Sequence, residues 1–168
     1  MSDFAKNAYF SDKAKVQLHP KAANGRFGIL TAKWNTAITQ SLKNTAQACL
    51  QDYGVKAENI FCYDVPGCYE LPLAAQMMLS QKKVDAVICL GCLIKGETTH
   101  FELIAEMVAQ KLGDLSLKYE KCAAFGVITA MNQQQAIERS TEPKHGNKGE
   151  EAALAALEMY SLSLTLES

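Results

Sequence analysis

The sequence predicts an α/β fold of three layers, with a four-stranded parallel sheet between helices. Three observations carry this. Short apolar runs rich in strand formers alternate with helical stretches four times along the chain, the pattern of a parallel sheet built from strand–helix crossovers. One run, VDAVICLG (Val84 to Gly91), is almost continuously apolar, as a strand covered on both faces must be. Phe101, Ile104, Ala105, Val108 and Leu112 recur at i, i+3, i+4, i+7 and i+11, the stripe of a helix packed by one side.

In chain order, RFGILTAKW (Arg26 to Trp34) is the first strand, and Asn35 or Thr36 caps a helix ending near Gly54. NIFCYDV (Asn59 to Val65) is the second strand, stopped by Pro66-Gly67. Leu71, Ala74, Ala75 and Met78 then mark a helix. VDAVICLG is the third strand and leads through a glycine turn into the striped helix. CAAFGVIT (Cys122 to Thr129) is the fourth, followed by a short helix around Gln133 to Arg139, a polar loop, and a last helix from about Asn147 to Leu162. Residues 1–24 read as an N-terminal arm outside this core and residues 25–168 as a single domain, without repeats or low-complexity segments.

A chain of 168 residues suits one domain with a substantial core. Its net charge of -1 gives neither a nucleic-acid footprint nor a polybasic membrane patch. No apolar run approaches the ~18 residues of a membrane span. The opening MSDFAKNAYFSDKAK has no signal-peptide core, so a soluble, cytoplasmic protein is expected. The 6 cysteines lie mostly inside apolar runs and read as free buried thiols. Cys89 and Cys92 form a CxxC, but a zinc ribbon needs a second such pair, and a redox motif should open a helix rather than sit in a strand. No metal or redox role is expected.

Ligands of open parallel sheets bind beyond the carboxyl ends of the strands, which singles out AKWN, VPGCYE, GCLIKGETTH and FGVITAMN. The glycines of GCLIKGETTH have the spacing of a GxxxxGK[ST] phosphate loop. Glu97 stands where that loop needs Lys, which excludes a triphosphatase on charge. What is left is Gly96, Glu97, Thr98 and Thr99 at the mouth of a helix. That arrangement suits a single phosphate or, more simply, a capped helix start. His100 falls in the first turn, where the helix field favours a neutral ring able to accept a proton; a polar surface residue is the plainer reading. Arg139 reads as a bidentate phosphate clamp or a solvated helix end. Trp34 and Tyr69 follow strands one and two, and Phe125 lies within strand four near its end. Such aromatics either sandwich a flat heterocycle or pack the core. Glu70, beside a turn, can bond a polyol or a ring N–H, or be solvated.

Taken together, strand–KWN, VPGCYELPLAA, GCLIKGETTHFELIAE, FGVIT…QAIER and GNKGEEAALAALEM resemble the 6,7-dimethyl-8-ribityllumazine synthase family, from about Gly25 to Leu162. The resemblance implies a flavodoxin-like α/β/α fold. It also implies a transferase that condenses 5-amino-6-(D-ribitylamino)uracil with 3,4-dihydroxy-2-butanone 4-phosphate in riboflavin biosynthesis, using no metal or organic cofactor. By the match, Trp34 stacks on the pyrimidine and Cys68, Tyr69 and Glu70 line the ribityl pocket. Cys92, Leu93 and Ile94 run along the ring edge, Glu97 and Thr98 hold the phosphate, and His100 accepts a proton. Phe125, Arg139 and Lys148 fall at positions that complete a neighbouring subunit's site, which implies a homopentamer or a multiple of it; riboflavin synthase is a further partner the resemblance offers. A lumazine- or flavin-binding relative without turnover is the alternative.

The chain departs from the family in places. Trp34 stands where many members have Phe, and Cys68 where Ala or Ser is usual. Glu97 replaces a small or neutral residue and is expected to point outward. STEPKHGNKG is one residue longer than in many shell-forming members and contains the stiff Pro143, which favours a free pentamer, or a pair of pentamers, over a sixty-chain shell.

Overall fold

The first strand, β1 (Phe27–Ala32), is buried at every residue and pairs in parallel with β2 (Ile60–Val65) on one side and β3 (Ala86–Ile94) on the other. The last strand, β4 (Ala123–Ala130), pairs with β3 and forms an edge, giving the order β2-β1-β3-β4. The computed structural model describes residues 16–82, 84–141 and 146–168. Five helices connect and follow the strands: α1 (Thr36–Asp52), α2 (Leu71–Met77, continuing as a π-helical turn over Met78–Lys82), α3 (His100–Tyr119), α4 (Gln133–Thr141) and α5 (Lys148–Leu166).

Strand alternation divides the core in two. Phe27, Ile29, Ala86, Ile88, Leu90, Ala124 and Ile128 face α1 and α5, meeting Leu42, Ala46, Leu50, Ala153 and Leu157. Leu30, Ala32, Val87, Cys89 and Val127 face α2 and α3, meeting Leu71, Ala75, Val108, Leu112 and Leu115. Both faces of the parallel sheet are thus covered, and the fold is the three-layer, flavodoxin-like α/β/α arrangement expected. All six cysteines are free, and Cys49, Cys68, Cys89 and Cys92 are buried. Among the described residues no helix is long and apolar enough to cross a membrane.

Four details differ from the expectations. Asn35 occupies the N-cap position of α1 without its side chain capping the helix, and the Thr36 hydroxyl instead donates to the Lys33 carbonyl at 2.7 Å. The third strand runs on to Ile94, because β4 continues to pair with it as far as Ile94↔Ala130 after β1 has stopped at Thr31↔Leu90. Phe125 is the third residue of β4, opposite Cys89, and so lies nearer the start of the strand than its end. The arm is not wholly outside the core: Ala22 is buried, Val16 and Leu18 pack against the α1/α5 cluster, and the His19 N–H donates to the Ser161 hydroxyl. Residues 1–15 of the arm lie outside the described residues, as does Pro143.

The start of α5 is fixed by Asn147. Its Oδ1 accepts from the Gly149 and Glu150 N–H groups at 2.9 and 3.4 Å and from the Thr45 hydroxyl at 2.7 Å. Its Nδ2 donates to the Ser140 carbonyl, which also accepts from the Ser41 hydroxyl at 2.7 Å. One amide thereby joins α1, the end of α4 and the start of α5, and with them the backbones that carry Arg139 and Lys148. Helices α1 and α5 touch here because Gly149 has no side chain: a Cβ would stand 2.1 Å from the Leu42 carbonyl oxygen and 2.6 Å from Thr45 Oγ1. A backbone carbonyl cannot step aside. Gly149→Ala is therefore expected to cost about 2–3 kcal/mol, the upper range for overpacking, or roughly 5–10 °C of Tm for a chain of this size. Calorimetry checks this, and an unchanged Tm would mean that the helices do not approach so closely.

Candidate active site

In the order β2-β1-β3-β4 the chain leaves β1 towards β2 and returns to place β3 on β1's other side. The switch point between β1 and β3 opens a crevice at the strands' carboxyl ends, where ligands of this architecture bind. A cavity of about 640 Å³ occupies that position. Its wall is made by Trp34 and Asn35 after β1, Gly67 to Glu70 after β2, Cys92 to Ile94 at the end of β3, and His100 and Ile104 on α3. Eight of the residues nominated from sequence therefore meet in one space: Trp34, Cys68, Tyr69, Glu70, Cys92, Leu93, Ile94 and His100.

The aromatic rims and the floor differ in exposure. Trp34 and Tyr69 are 74% and 62% exposed, whereas Cys68 and Cys92 are 4% and 2% exposed and form the floor. Contact between the floor elements depends on Gly91, since a Cβ there would meet Cys68 Sγ at 2.5 Å. Burial pushes the Cys68 thiol up to about 11 and the Cys92 thiol up to about 12, so neither is a thiolate at neutral pH. They are apolar lining, not nucleophiles.

The loop from Lys95 to Thr99 joins the wall residues at the end of β3 to His100 at the start of α3. The Lys95 N–H donates to the Ala130 carbonyl at 2.9 Å, and Lys95 Nζ pairs with Glu102 Oε1 at 2.7 Å. That hydrogen bond holds the Glu102 carboxyl below its ordinary value. The start of the loop is thus tied to β4 by the Lys95 backbone and to α3 by the Lys95 side chain. No side chain caps α3, so its first turn is not blocked by the plain capping arrangement. The Thr98 hydroxyl oxygen lies 3.4 Å from the His100 N–H. Glu97 and Thr98 are exposed on this loop and do not line the cavity of the single chain. Backbone N–H groups, a hydroxyl and an imidazole at a helix N-terminus make a setting for a monoanionic or dianionic group.

Phe125, Arg139 and Lys148 do not join the cavity either. Phe125 is 41% exposed on the edge strand, Arg139 is exposed in the last turn of α4, and Lys148 opens α5 in an ion pair with Glu151. Among the described residues no group of three or more His, Cys, Asp or Glu side chains gathers as metal ligands. Three wall residues went unnominated: Asn35, Gly67 and Ile104. Asn35 had been assigned to capping and Ile104 to the packed stripe, while Gly67 was read only as part of a turn.

Comparison with known proteins adds the family. The sequence model of a family described as 6,7-dimethyl-8-ribityllumazine synthase matches residues 24–163. The 6,7-dimethyl-8-ribityllumazine synthase of Cytophaga hutchinsonii is 44% identical over 145 residues, covering 86% of this chain and 91% of that protein. Its namesake in Flavobacterium johnsoniae is 46% identical over 140 residues, 83% of this chain and 73% of that protein. The one from Aquifex aeolicus is 45% identical over 141 residues, 84% of this chain and 91% of that protein.

The buried thiols give a pH signature. Unfolded, they ionise near the ordinary value of 9.0, whereas the folded protein holds the Cys68 proton to about 11. A pKa raised by folding stabilises the folded state below pH 9, and that stabilisation is lost as pH rises towards 11. Cys68→Ala lacks this titration. The Tm advantage of the native sequence over Cys68→Ala should therefore be constant up to about pH 8.5 and narrow above pH 9. Paired melting curves from pH 7 to 10.5 check it, and a gap that stays constant would mean that the thiol is not shielded.

Proposed function

Because the chain belongs to the 6,7-dimethyl-8-ribityllumazine synthase family, we propose that the cavity at the β1/β3 switch point is where it carries out that family's reaction. The chain is a transferase of riboflavin biosynthesis, condensing 5-amino-6-(D-ribitylamino)uracil with 3,4-dihydroxy-2-butanone 4-phosphate to 6,7-dimethyl-8-ribityllumazine. The observation that carries the site assignment is the convergence of Trp34, Cys68, Tyr69, Glu70, Cys92, Leu93, Ile94 and His100 on one cavity.

Each residue has a task that its chemistry supports. Trp34 supplies a flat platform for the pyrimidine, worth about 0.5–1.5 kcal/mol beyond area burial. The projecting strand end Cys92–Ile94 lies along the ring edge, where backbone groups can read the uracil. Glu70 accepts hydroxyl protons of the ribityl chain beside Cys68 and Tyr69. The Glu97 N–H and the Thr98 hydroxyl donate to the phosphate at the start of α3, with the Glu97 carboxylate turned to solvent. Imine formation joins the two substrates and releases water, phosphate leaves, and attack of the ribityl-bearing nitrogen on the remaining carbonyl closes the ring with loss of a second water. His100, one helical residue beyond the phosphate loop, takes the proton released as these bonds rearrange. Much of the rate comes from holding two small reactants together in the right orientation. The same reading places the protein in the cytoplasm, with riboflavin synthase as the enzyme that receives its product.

Phe125, Arg139 and Lys148 complete the site of an adjacent copy, so the working unit is a ring, a pentamer or a pair of pentamers. The exposure of Phe125 and Arg139, and the separation of all three residues from the cavity of their own chain, support this assignment. Head-to-tail contacts of one surface against a different one generate such rings.

Turnover with the two substrates, followed by lumazine absorbance, tests the reading. His100→Ala should lower kcat by about 10- to 100-fold, below the usual range for a general base because positioning carries much of the rate. Arg139→Ala should instead raise KM for the phosphate substrate. Full turnover by folded His100→Ala would remove its proton-accepting role.

Subunit mixing tests the shared site. His100→Ala and Arg139→Ala chains, each impaired alone, should regain about a quarter of native activity when co-assembled one to one, since random placement around a heterologous ring leaves that fraction of sites intact. Activity no higher than the mean of the two parents would put both residues in one chain's site. Light scattering on the same samples gives the ring size, and a particle of sixty chains would overturn the free pentamer.

A further inference from the structure

We propose that Asn35 is a positioning residue for the pyrimidine platform, holding the Trp34 indole in place by clamping the turn after β1 to the projecting end of β3. The inference rests on the reading that Trp34 stacks on the pyrimidine, and it assigns a task to a residue next to the platform.

The clamp exists because β3 outruns β1. Along β3 the odd-numbered residues turn their peptide groups towards β4, as the Val87 and Lys95 N–H bonds to the Cys122 and Ala130 carbonyls show. The even-numbered residues face β1. Pairing with β1 ends at Thr31↔Leu90, so the Cys92 peptide groups face a strand that has already turned away. A backbone polar group left there without a partner would be costly. A side chain stands in for the missing strand: Asn35 Nδ2 donates to the Cys92 carbonyl at 3.1 Å.

Asn35 bears the geometric cost of that bond. It sits at φ 60, ψ 49, in the left-handed region, which is uncommon for any residue but glycine although Asn tolerates it better than most. An Asn at an N-cap ordinarily accepts from the first turn of the helix. Here no such bond is made, so the side chain serves β3 instead of α1. Its carbonyl meanwhile accepts from the Ile38 and Thr39 N–H groups at 2.9 and 3.0 Å. Asn35 is therefore bonded to the helix by its backbone and to the sheet by its side chain. On the other flank of Trp34, the Lys33 N–H donates to the Val65 carbonyl at 3.0 Å. The backbone of the turn is held on both sides, while the indole is 74% exposed and rests its edge over Gly67, where a Cβ would stand 3.3 Å from Trp34 Cδ1. With so little packing of its own, the ring takes its direction from the backbone beneath it.

Two variants separate clamp from conformation. Asn35→Gly keeps the left-handed backbone and removes the donor. Asn35→Asp keeps both shape and left-handed tolerance and also removes the donor, so it carries the test if the glycine variant folds poorly. Trp34 is the sole tryptophan of the chain, and its fluorescence anisotropy reports on the platform without ligand. Both variants are expected to lose Trp34 anisotropy at unchanged assembly size by light scattering. They should raise KM for the ribitylaminouracil by about three- to ten-fold, the scale of losing much of one aromatic stack, and by more than they lower kcat. A lowered Tm with native anisotropy and KM in both variants would mean that Asn35 is merely structural, and would overturn the proposal. Native anisotropy and KM in Asn35→Gly at native Tm would show that conformation alone suffices, and would overturn it too. Lost anisotropy in Asn35→Gly, with KM unmoved both there and in Trp34→Ala, would leave the clamp standing and remove the stacking role instead.

Discussion

The peptide groups of Cys92, left without a strand to pair with, are the constraint on which the rest of the cavity depends. In a parallel sheet each strand satisfies its neighbour, and a strand that runs past its partner must find donors and acceptors elsewhere. Here β4 supports β3 as far as Ile94 on one side, while β1 stops four residues earlier on the other. At the Cys92 carbonyl the deficit is met by Asn35 from the loop after β1, while Cys68 from the loop after β2 packs against the adjacent Gly91. Two loops far apart in sequence are thereby drawn to one short stretch of backbone, and the cavity is the space between them.

The same economy explains the chemistry of the floor. Because Cys68 is buried and pressed against Gly91, its thiol stays protonated and apolar although it lines the cavity. A larger residue would not fit against Gly91. The polar chemistry is pushed to the rims, with Glu70 on one side and the uncapped start of α3 on the other. The Lys95–Glu102 pair ties the start of that loop to α3 and balances the ammonium with a carboxylate.

On the other side of the sheet, Asn147 does for the end of α4 and the start of α5 what Cys92 does for the cavity. It holds together the backbones bearing Arg139 and Lys148, and Gly149 lets α1 and α5 close on each other. Neither cation reaches the cavity of its own chain. The fold therefore presents the cavity in one place and the backbones of Arg139 and Lys148 in another.

Much of this was legible in the residues. The alternation of apolar runs and stripes determined the three layers, because a strand buried on both faces and a helix buried on one leave different periodicities. The chemical types after each strand nominated the cavity wall, since an α/β sheet delivers its loops to one edge whatever their content. What only the tertiary structure decided is how those loops are tied. Asn35 before a helix reads as a cap in any sequence, because the signal for capping is local. That its amide turns instead to Cys92 follows from β3 being longer than β1, a comparison between strands that no single stretch contains. Phe125 was placed late in its strand for a related reason: where a strand begins is set by its partner's register, and register belongs to the pair.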